Sequence, residues 1–379
     1  MTKSSMTSAS PASAVTASGD PATTQPADAK PRHENDDFFA RFGTAWNPGG
    51  DATLWPSAQL LWANACARCL ADETLDVVVA ARDGQPVALA PLIVQGQGMW
   101  RYWTLLGDGL YEPADLIYRD SDALARLVLA LLRRGEGLHL DRLPLESPTL
   151  QTFQRLARGR AVLSSRPAKS SPYIPLDETW AVPESHLNAG RRSDLRRARR
   201  QAEKLGPVVT QILTPSLDEV DQLMATALSI EARSWKGEQK TALLYDARYG
   251  TFFRWYARAA CQAGLLRLCF LRIGDQPAAM QIAVQSAGAF WLLTIGYDSA
   301  FAQCSPGLIL MGETIRHAVQ AGLQRYEFLG DVEPWTQVWT EHEHRCIMLD
   351  VYPYSGRGMA ALARATASAW KRKWKSKHP

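Results

Sequence analysis

The segment FWLLTIGYDSAFAQCSPGLILMGETIRHAVQAGLQRYEFLGD, residues 290–331, decides how this chain folds. Phe290 to Ile295 is a run of aromatic, aliphatic and β-branched residues of strand length, while Leu308, Met311, Ile315, Ala318 and Val319 recur at helical spacing. Gly322 to Phe328 then reads as another short strand. Ser305-Pro306-Gly307 stands between strand and helix, which places the tripeptide at a helix N-terminus. Unpaired backbone N–H groups and the positive end of the helix dipole favour a phosphate or pyrophosphate there by roughly 0.3–1 kcal/mol per charge. Pro306 presets the backbone for helix entry, and Gly307 lets an anion approach the main chain. An ordinary capped turn between strand and helix carries the same residues, so the surroundings must distinguish the two.

Those surroundings repeat. Residues 77–94 read VVVAARDGQPVALAPLIV and residues 267–284 read RLCFLRIGDQPAAMQIAV, two apolar runs joined by a Gly/Asp turn ending in Gln-Pro. After the first come an aromatic strand, Trp100 to Leu106, a helix from about Asp122 to Arg134, and the short strand Gly137 to Asp141. After the second come Phe290 to Ile295, the helix 308–321, and Gly322 to Phe328. The order matches element for element, at an offset far too long for a solenoid, and predicts a duplicated α/β domain.

Composition agrees with two globular units: 46% hydrophobic residues, 21% charged and a net charge of +4. Such a mild excess of positive charge selects no partner. Residues 1–35, rich in Ser, Ala, Thr and Pro, are expected to form a disordered tail without a signal-peptide core. Residues 278–297 carry no charge, but Gln281, Gln285, Ser286 and Gly288 at their centre mark two strands in place of a membrane span. The expected location is the cytoplasm. The six cysteines show no disulfide or zinc spacing, and no metal site is expected. Glu341-His342-Glu343-His344 resembles a metal cluster, yet alternation separates the histidines from the glutamates and predicts a solvated edge.

From about residue 186 to 340 the chain resembles the GNAT acyltransferase domain of the cellulose-biosynthesis-associated acetyltransferase family, itself similar to the tandem-GNAT Fem peptidoglycan aminoacyltransferases. The resemblance rests on the basic segment Arg191 to Lys204, on Glu231-Ala-Arg-Ser-Trp235-Lys236-Gly237, and on the Gly274-Asp-Gln-Pro277 hairpin. Gly296-Tyr297-Asp298, Ser305-Pro306-Gly307 and Phe328-Leu-Gly-Asp-Val-Glu333-Pro334-Trp335 complete it. It implies tandem GNAT-like repeats, each a mixed twisted sheet with flanking helices. The implied divisions are a repeat at 36–180, a basic linker helix at 181–206, the acyltransferase domain at 207–353 and a basic C-terminal helix at 354–379.

The same resemblance implies acetyl-CoA or another acyl-CoA as donor, held at Ser305, Pro306, Gly307 and Leu308. Transfer of acyl from a thioester to an amine or hydroxyl needs a proton acceptor and support for an oxyanion. The candidate bases are Asp331 first, then Glu231, Asp298 and Glu333, because each ends or follows an element expected at one cleft. Trp235, Trp335 and Trp339 are expected to wall the acceptor pocket. The family commonly has Glu-Pro-Tyr-Lys where this chain has Glu333-Pro334-Trp335-Thr336, so either Lys236 or Arg345 supplies the missing positive charge or substrate and efficiency differ from the family norm. The acceptor implied is a cell-envelope or exopolysaccharide precursor, a small molecule or lipid-linked. Two other readings stay open: Fem-like aminoacyl transfer from tRNA, served by the cationic segment, and a non-catalytic scaffold. No feature for reading nucleic-acid bases accompanies the cationic runs. Trp370 and Trp374 stand one helical turn apart among lysines, a pattern suited to peripheral contact with the inner face of a membrane.

Overall fold

The computed structural model describes residues 55–70, 75–110, 112–234 and 247–377. The expected tail, Trp235 and Lys236 lie outside the described residues. The first repeat opens with α1 (Leu60–Cys69), then the hairpin β1 (Asp76–Arg82) and β2 (Gln85–Gln95). The hairpin turns on Asp83 and Gly84, both left-handed at φ 52° and 76°, as a two-residue connection requires. β3 (Tyr102–Leu105) and the short β4 (Ile117–Tyr118) follow. α2 (Ser121–Arg134) starts where the Asp120 carboxylate accepts the Ala123 N–H at 2.8 Å, and stops at left-handed Gly135. It buries Leu124, Leu127, Val128 and Leu131, one stripe at helical spacing. β5 (Gly137–Pro144), α3 (Pro148–Leu156), β6 (Ala161–Pro167) and β7 (Ser171–Pro175) complete this half.

The second half starts with α4 (Ala189–Leu205), β8 (Val208–Leu213), α5 (Val220–Ala232) and α6 (Ala247–Gln262). Next come the hairpin β9 (Leu266–Ile273) and β10 (Gln276–Ser286), then β11 (Ala289–Tyr297) and α7 (Pro306–Gln320). β12 (Arg325–Glu327), β13 (Glu343–His344), β14 (Cys346–Pro353) and α8 (Gly356–Lys377) close the chain. The duplicated α/β order read from the sequence is present.

The strands do not stay in their own halves. One sheet runs β1-β2-β3-β5-β14-β6, with β4 on β2, and the other β13-β7-β12-β11-β10-β9-β8. β14, from the end of the chain, thus sits between β5 and β6 of the first repeat, pairing Asp350 with His139 on one side and Ser164 on the other. β7, from the first repeat, sits between β12 and β13 of the second. The division at 180 therefore cuts through both sheets, because each sheet takes in one strand from the other half between two other strands.

The expected linker at 181–206 is corrected in the same way. α4 buries Leu195, Ala198 and Ala202, and Leu195 and Ala202 pack in one cluster with Leu271, Ile309 and Leu310, so the helix is a layer of the second repeat. Its arginines stay outside because only one stripe is apolar. On the sheet's other face Trp62 of α1 meets Phe252 and Tyr256 of α6 edge-on at 4.8 and 5.0 Å, tying the halves together. Cys66 and Cys269 are buried in these cores, and burial raises both thiols.

The edge expected at Glu341-His342-Glu343-His344 is solvated only in part. His344 stacks on Tyr173 with ring centroids 4.1 Å apart and reaches the fully buried Glu327 at 3.1 Å and Glu146 at 2.9 Å. Burial opposes the imidazolium, but hydrogen bonds to the two carboxylates outweigh it and hold His344 up to about 9.

Because β14 joins β6 to the rest of the first sheet, the fragment 36–180 is expected to show no cooperative thermal transition by calorimetry, whereas the whole chain does. A folded fragment would mean that β14 is dispensable.

Candidate active site

β11 and β12 run parallel through Ala289↔Arg325, Phe290↔Tyr326 and Trp291↔Glu327, and there the pairing ends. Leu329 and Gly330 follow with φ of 54° and 52°, and two left-handed residues in succession turn the chain away from β11. A cleft of about 640 Å³ opens in the fork. Leu292 to Tyr297 form one wall, Phe328 to Asp331 the other, and Trp335 and Trp339 stand over it.

The fork is held from the first repeat. The Gly330 N–H donates to Glu112 Oε2 at 3.0 Å, and its carbonyl accepts from Arg142 Nη2 at 2.5 Å. Arg142 is buried and left-handed at φ 50°, and it also donates to the carbonyls of Lys169 and Ser170. Glu112, partly buried, lines the cleft. Loss of water pushes its carboxyl up to about 7, against the Gly330 hydrogen bond and the Arg142 charge, which lower it, and with the Asp331 charge, which raises it. A carboxyl that titrates near neutral pH inside a cleft is suited to proton transfer.

The residues expected at the site divide. Gly307 and Leu308 line the cleft at the start of α7, with Tyr297 Cδ1 3.6 Å from where a Gly307 Cβ would stand. Ser305 is left-handed at φ 43°, its carbonyl accepts from Leu308 and Ile309, and its hydroxyl makes no cap. The Gly307 N–H is among the donors that a first helical turn leaves without an intrahelical partner. Pro306 is buried behind it. Neighbouring Cys304 is buried too, and burial raises its thiol, the opposite of helix-end activation.

Asp331 and Glu333 line the cleft. Asp331 is clasped by Lys169, a hydrogen-bonded ion pair, and by Arg142, whose Nη1 stands 3.3 Å from Oδ1 without hydrogen-bond geometry. It serves the fork before it serves a substrate. Glu333 accepts from Trp335 Nε1 at 2.5 Å, and the Thr336 hydroxyl closes the turn on the Glu333 carbonyl at 2.9 Å. Glu231 and Asp298 are outside the cleft lining. Glu231 is buried behind β11, its Cα 3.1 Å from where a Gly296 Cβ would stand. Asp298 caps the turn Ser299–Cys304 through the Ala300 N–H and pairs with Arg233 at 2.5 Å. A capping carboxylate reads the same as a strand-end base when only its sequence position is known.

Trp339 is buried over Gly312, whereas Trp335 is half exposed and meets Phe328 edge-on at 5.8 Å. Arg345 is exposed and away from the cleft lining, its carbonyl accepting from Leu145. The cation that does line it is Arg191, from the first turn of α4, inside the basic segment that the sequence suggested was a linker. Glu112 was missed as well. Glu112-Pro113-Ala114 stands where the first repeat would carry its own Ser-Pro-Gly, and nothing local shows that it reaches Gly330.

The profile of a family described as acetyltransferase (GNAT) domain matches residues 189–337, the span that holds α4, α7 and both walls of the cleft. No curated protein matches the chain in sequence. Among solved structures, FemX is similar at 12% identity with a TM-score of 0.53, covering 86% of this chain and 98% of its own. A conserved protein of unknown function from Bacteroides thetaiotaomicron is similar at 10% identity and 0.51, covering 78% and 91%. The likeness is one of fold, the tandem GNAT-like α/β arrangement.

Arg142→Met would leave the Gly330 carbonyl without this donor and Asp331 facing Lys169 alone. The expected loss is on the order of 3 kcal/mol in urea unfolding, and a loss below ~1 kcal/mol would show that the fork stands without the clasp.

Proposed function

We propose that the fork transfers an acyl group, acetyl in the simplest case, from an acyl-CoA to an amine of a cell-envelope or exopolysaccharide precursor. The observation that carries this is the meeting, in one cleft, of the N-terminus of α7 with the Glu112 carboxyl, which loss of water pushes up to about 7. The donor's pyrophosphate would lie before Gly307 and its acyl arm along β11 toward the split. Arg191 adds the positive charge for which the family uses a lysine, a role that Thr336 cannot take with its hydroxyl tied to Glu333. Glu112, ionised, takes the proton as the amine attacks the thioester carbon; the oxyanion collapses, and the CoA thiolate leaves and is protonated. Trp335 and Trp339 offer apolar faces suited to a sugar ring or the body of a lipid-linked acceptor.

Calorimetry with acetyl-CoA, longer acyl-CoAs and charged tRNA tests the donor class. The expected result is CoA binding that Gly307→Val weakens about tenfold at nearly unchanged stability, since a Cβ there meets only ordinary contacts. Binding of charged tRNA alone would replace this reading with aminoacyl transfer.

Glu112→Gln tests the base. Glu112 is competent when deprotonated, so the wild-type rate is expected to rise with pH up to about 7 and level off. The glutamine variant should bind donor normally, lose on the order of 100-fold in kcat and lack that limb. An unchanged profile would return the role to Glu333 or Asp331.

A further inference from the structure

The first sheet has two unlike faces. One carries Leu138, Leu140, Leu349 and Val351 against α2 and α3. The other carries Thr104, His139, Asp350 and Ser164 as one row across β3, β5, β14 and β6, each residue opposite the next. A polar row is costly to cover unless it is satisfied, and α8 lies over this one with mostly small side chains, Ala361 and Ala365 among them. Between helix and sheet is a cavity of about 370 Å³, lined by Tyr102, His139, Arg166, Asp350, Tyr352 and Arg364.

The order of the row excludes a serine nucleophile, since Asp350 stands between Ser164 and His139. Its charges suit an anion. His139 Nδ1 is 2.6 Å from Asp350 Oδ1, and Arg166 Nη2 is 3.2 Å from Oδ2. The hydrogen bond to Asp350 raises His139 above its ordinary value, burial opposes this, and Asp108 and Asp141 add to it from farther away. Arg364 lies over the Tyr102 ring at 5.5 Å and donates to the Trp100 carbonyl at 2.6 Å. With His139 protonated, three cations thus line a cavity that holds one carboxylate.

The mouth has a second character. Trp100, 46% exposed, lines both this cavity and the shallow groove beside Ala363 and Ala367. Trp370 follows along α8 at 73% exposure and Trp374 at 57%, within the run Trp370-Lys-Arg-Lys-Trp374-Lys-Ser-Lys377. Indoles beside a lysine-rich run suit the interface of an anionic bilayer.

We propose that the cavity under α8 is a second binding site, taking the phosphate of an anionic phospholipid headgroup while α8 and Trp100 lie against the membrane surface. The phosphodiester would complete the charge of Arg166, His139 and Arg364, and the indoles would sit among the headgroups. Among the described residues no helix is long and apolar enough to cross a membrane, so α8 lies along the surface.

The full chain is tested by sedimentation with phosphatidylcholine vesicles, with and without phosphatidylglycerol, and by calorimetry with inorganic phosphate and glycerol phosphate. Binding is expected only with phosphatidylglycerol, reduced about fivefold by Arg166→Gln and more by Arg166→Gln with Arg364→Gln. Ala365→Leu, which fills the cavity without changing charge, should weaken it as well, and Trp370→Ala with Trp374→Ala should abolish it. Vesicle binding that ignores Arg166→Gln and Ala365→Leu would overturn the cavity site, and free phosphate binding without vesicle binding would overturn the lipid. Sedimentation reads binding alone, so it stands whether or not the cleft transfers acyl groups.

Discussion

The backbone of one residue governs the site. The Gly330 N–H is taken by Glu112 and its carbonyl by Arg142, both from the first repeat, at the point where β12 has turned away from β11. A backbone with two left-handed residues in succession is costly by itself, and the two hydrogen bonds offset that cost by meeting both polar groups of Gly330. The open fork exists because another repeat holds it open. The first repeat contributes a carboxyl to the cleft in the same contact, so its place in the chain is more than structural padding.

The strand exchange makes this contact reproducible. β7 and β14 each complete the other half's sheet, and α1 packs on α6, so the halves cannot rock independently without breaking ladder hydrogen bonds. Arg142 is held by β5, and Glu112 and Gly330 stand on the short connections before β4 and after β12, which these sheets anchor. His344 extends the tie, bonded at once to Glu146 just after β5 and to Glu327 on β12.

What the sequence disclosed follows from how local each signal is. The strand Phe290 to Ile295, the helix after Ser305 and both Gln-Pro hairpins are periodic within a few residues, and all of them stand. The partner of a strand is not written in its pattern. β7, Ser171-Pro172-Tyr173-Ile174-Pro175, holds two prolines that a sequence reading demotes, yet it lies inside the second sheet, where the Pro172 carbonyl still accepts from Phe328. Glu231 and Asp298 were legible as carboxylates at element ends but not as a buried side chain and a cap. Glu112 gave no signal because its partner lies in the other repeat. Arg191 was visible as charge and hidden as position, since seven cations in one helix do not say which one faces a cleft.

The exchanged β14 also sets a timetable. A ribosome delivers β5 and β6 well before the strand that belongs between them, with the whole second sheet made in the interval. Until then two edges wait unpaired, open to each other in the wrong register or to neighbouring chains. Contacts so distant in sequence are slow to close, so the first sheet is completed only after the strands of the second half have been made. Such edges are exposed to mispairing for as long as β14 is absent, and the exchange of strands ties the duplicated halves into one folding unit.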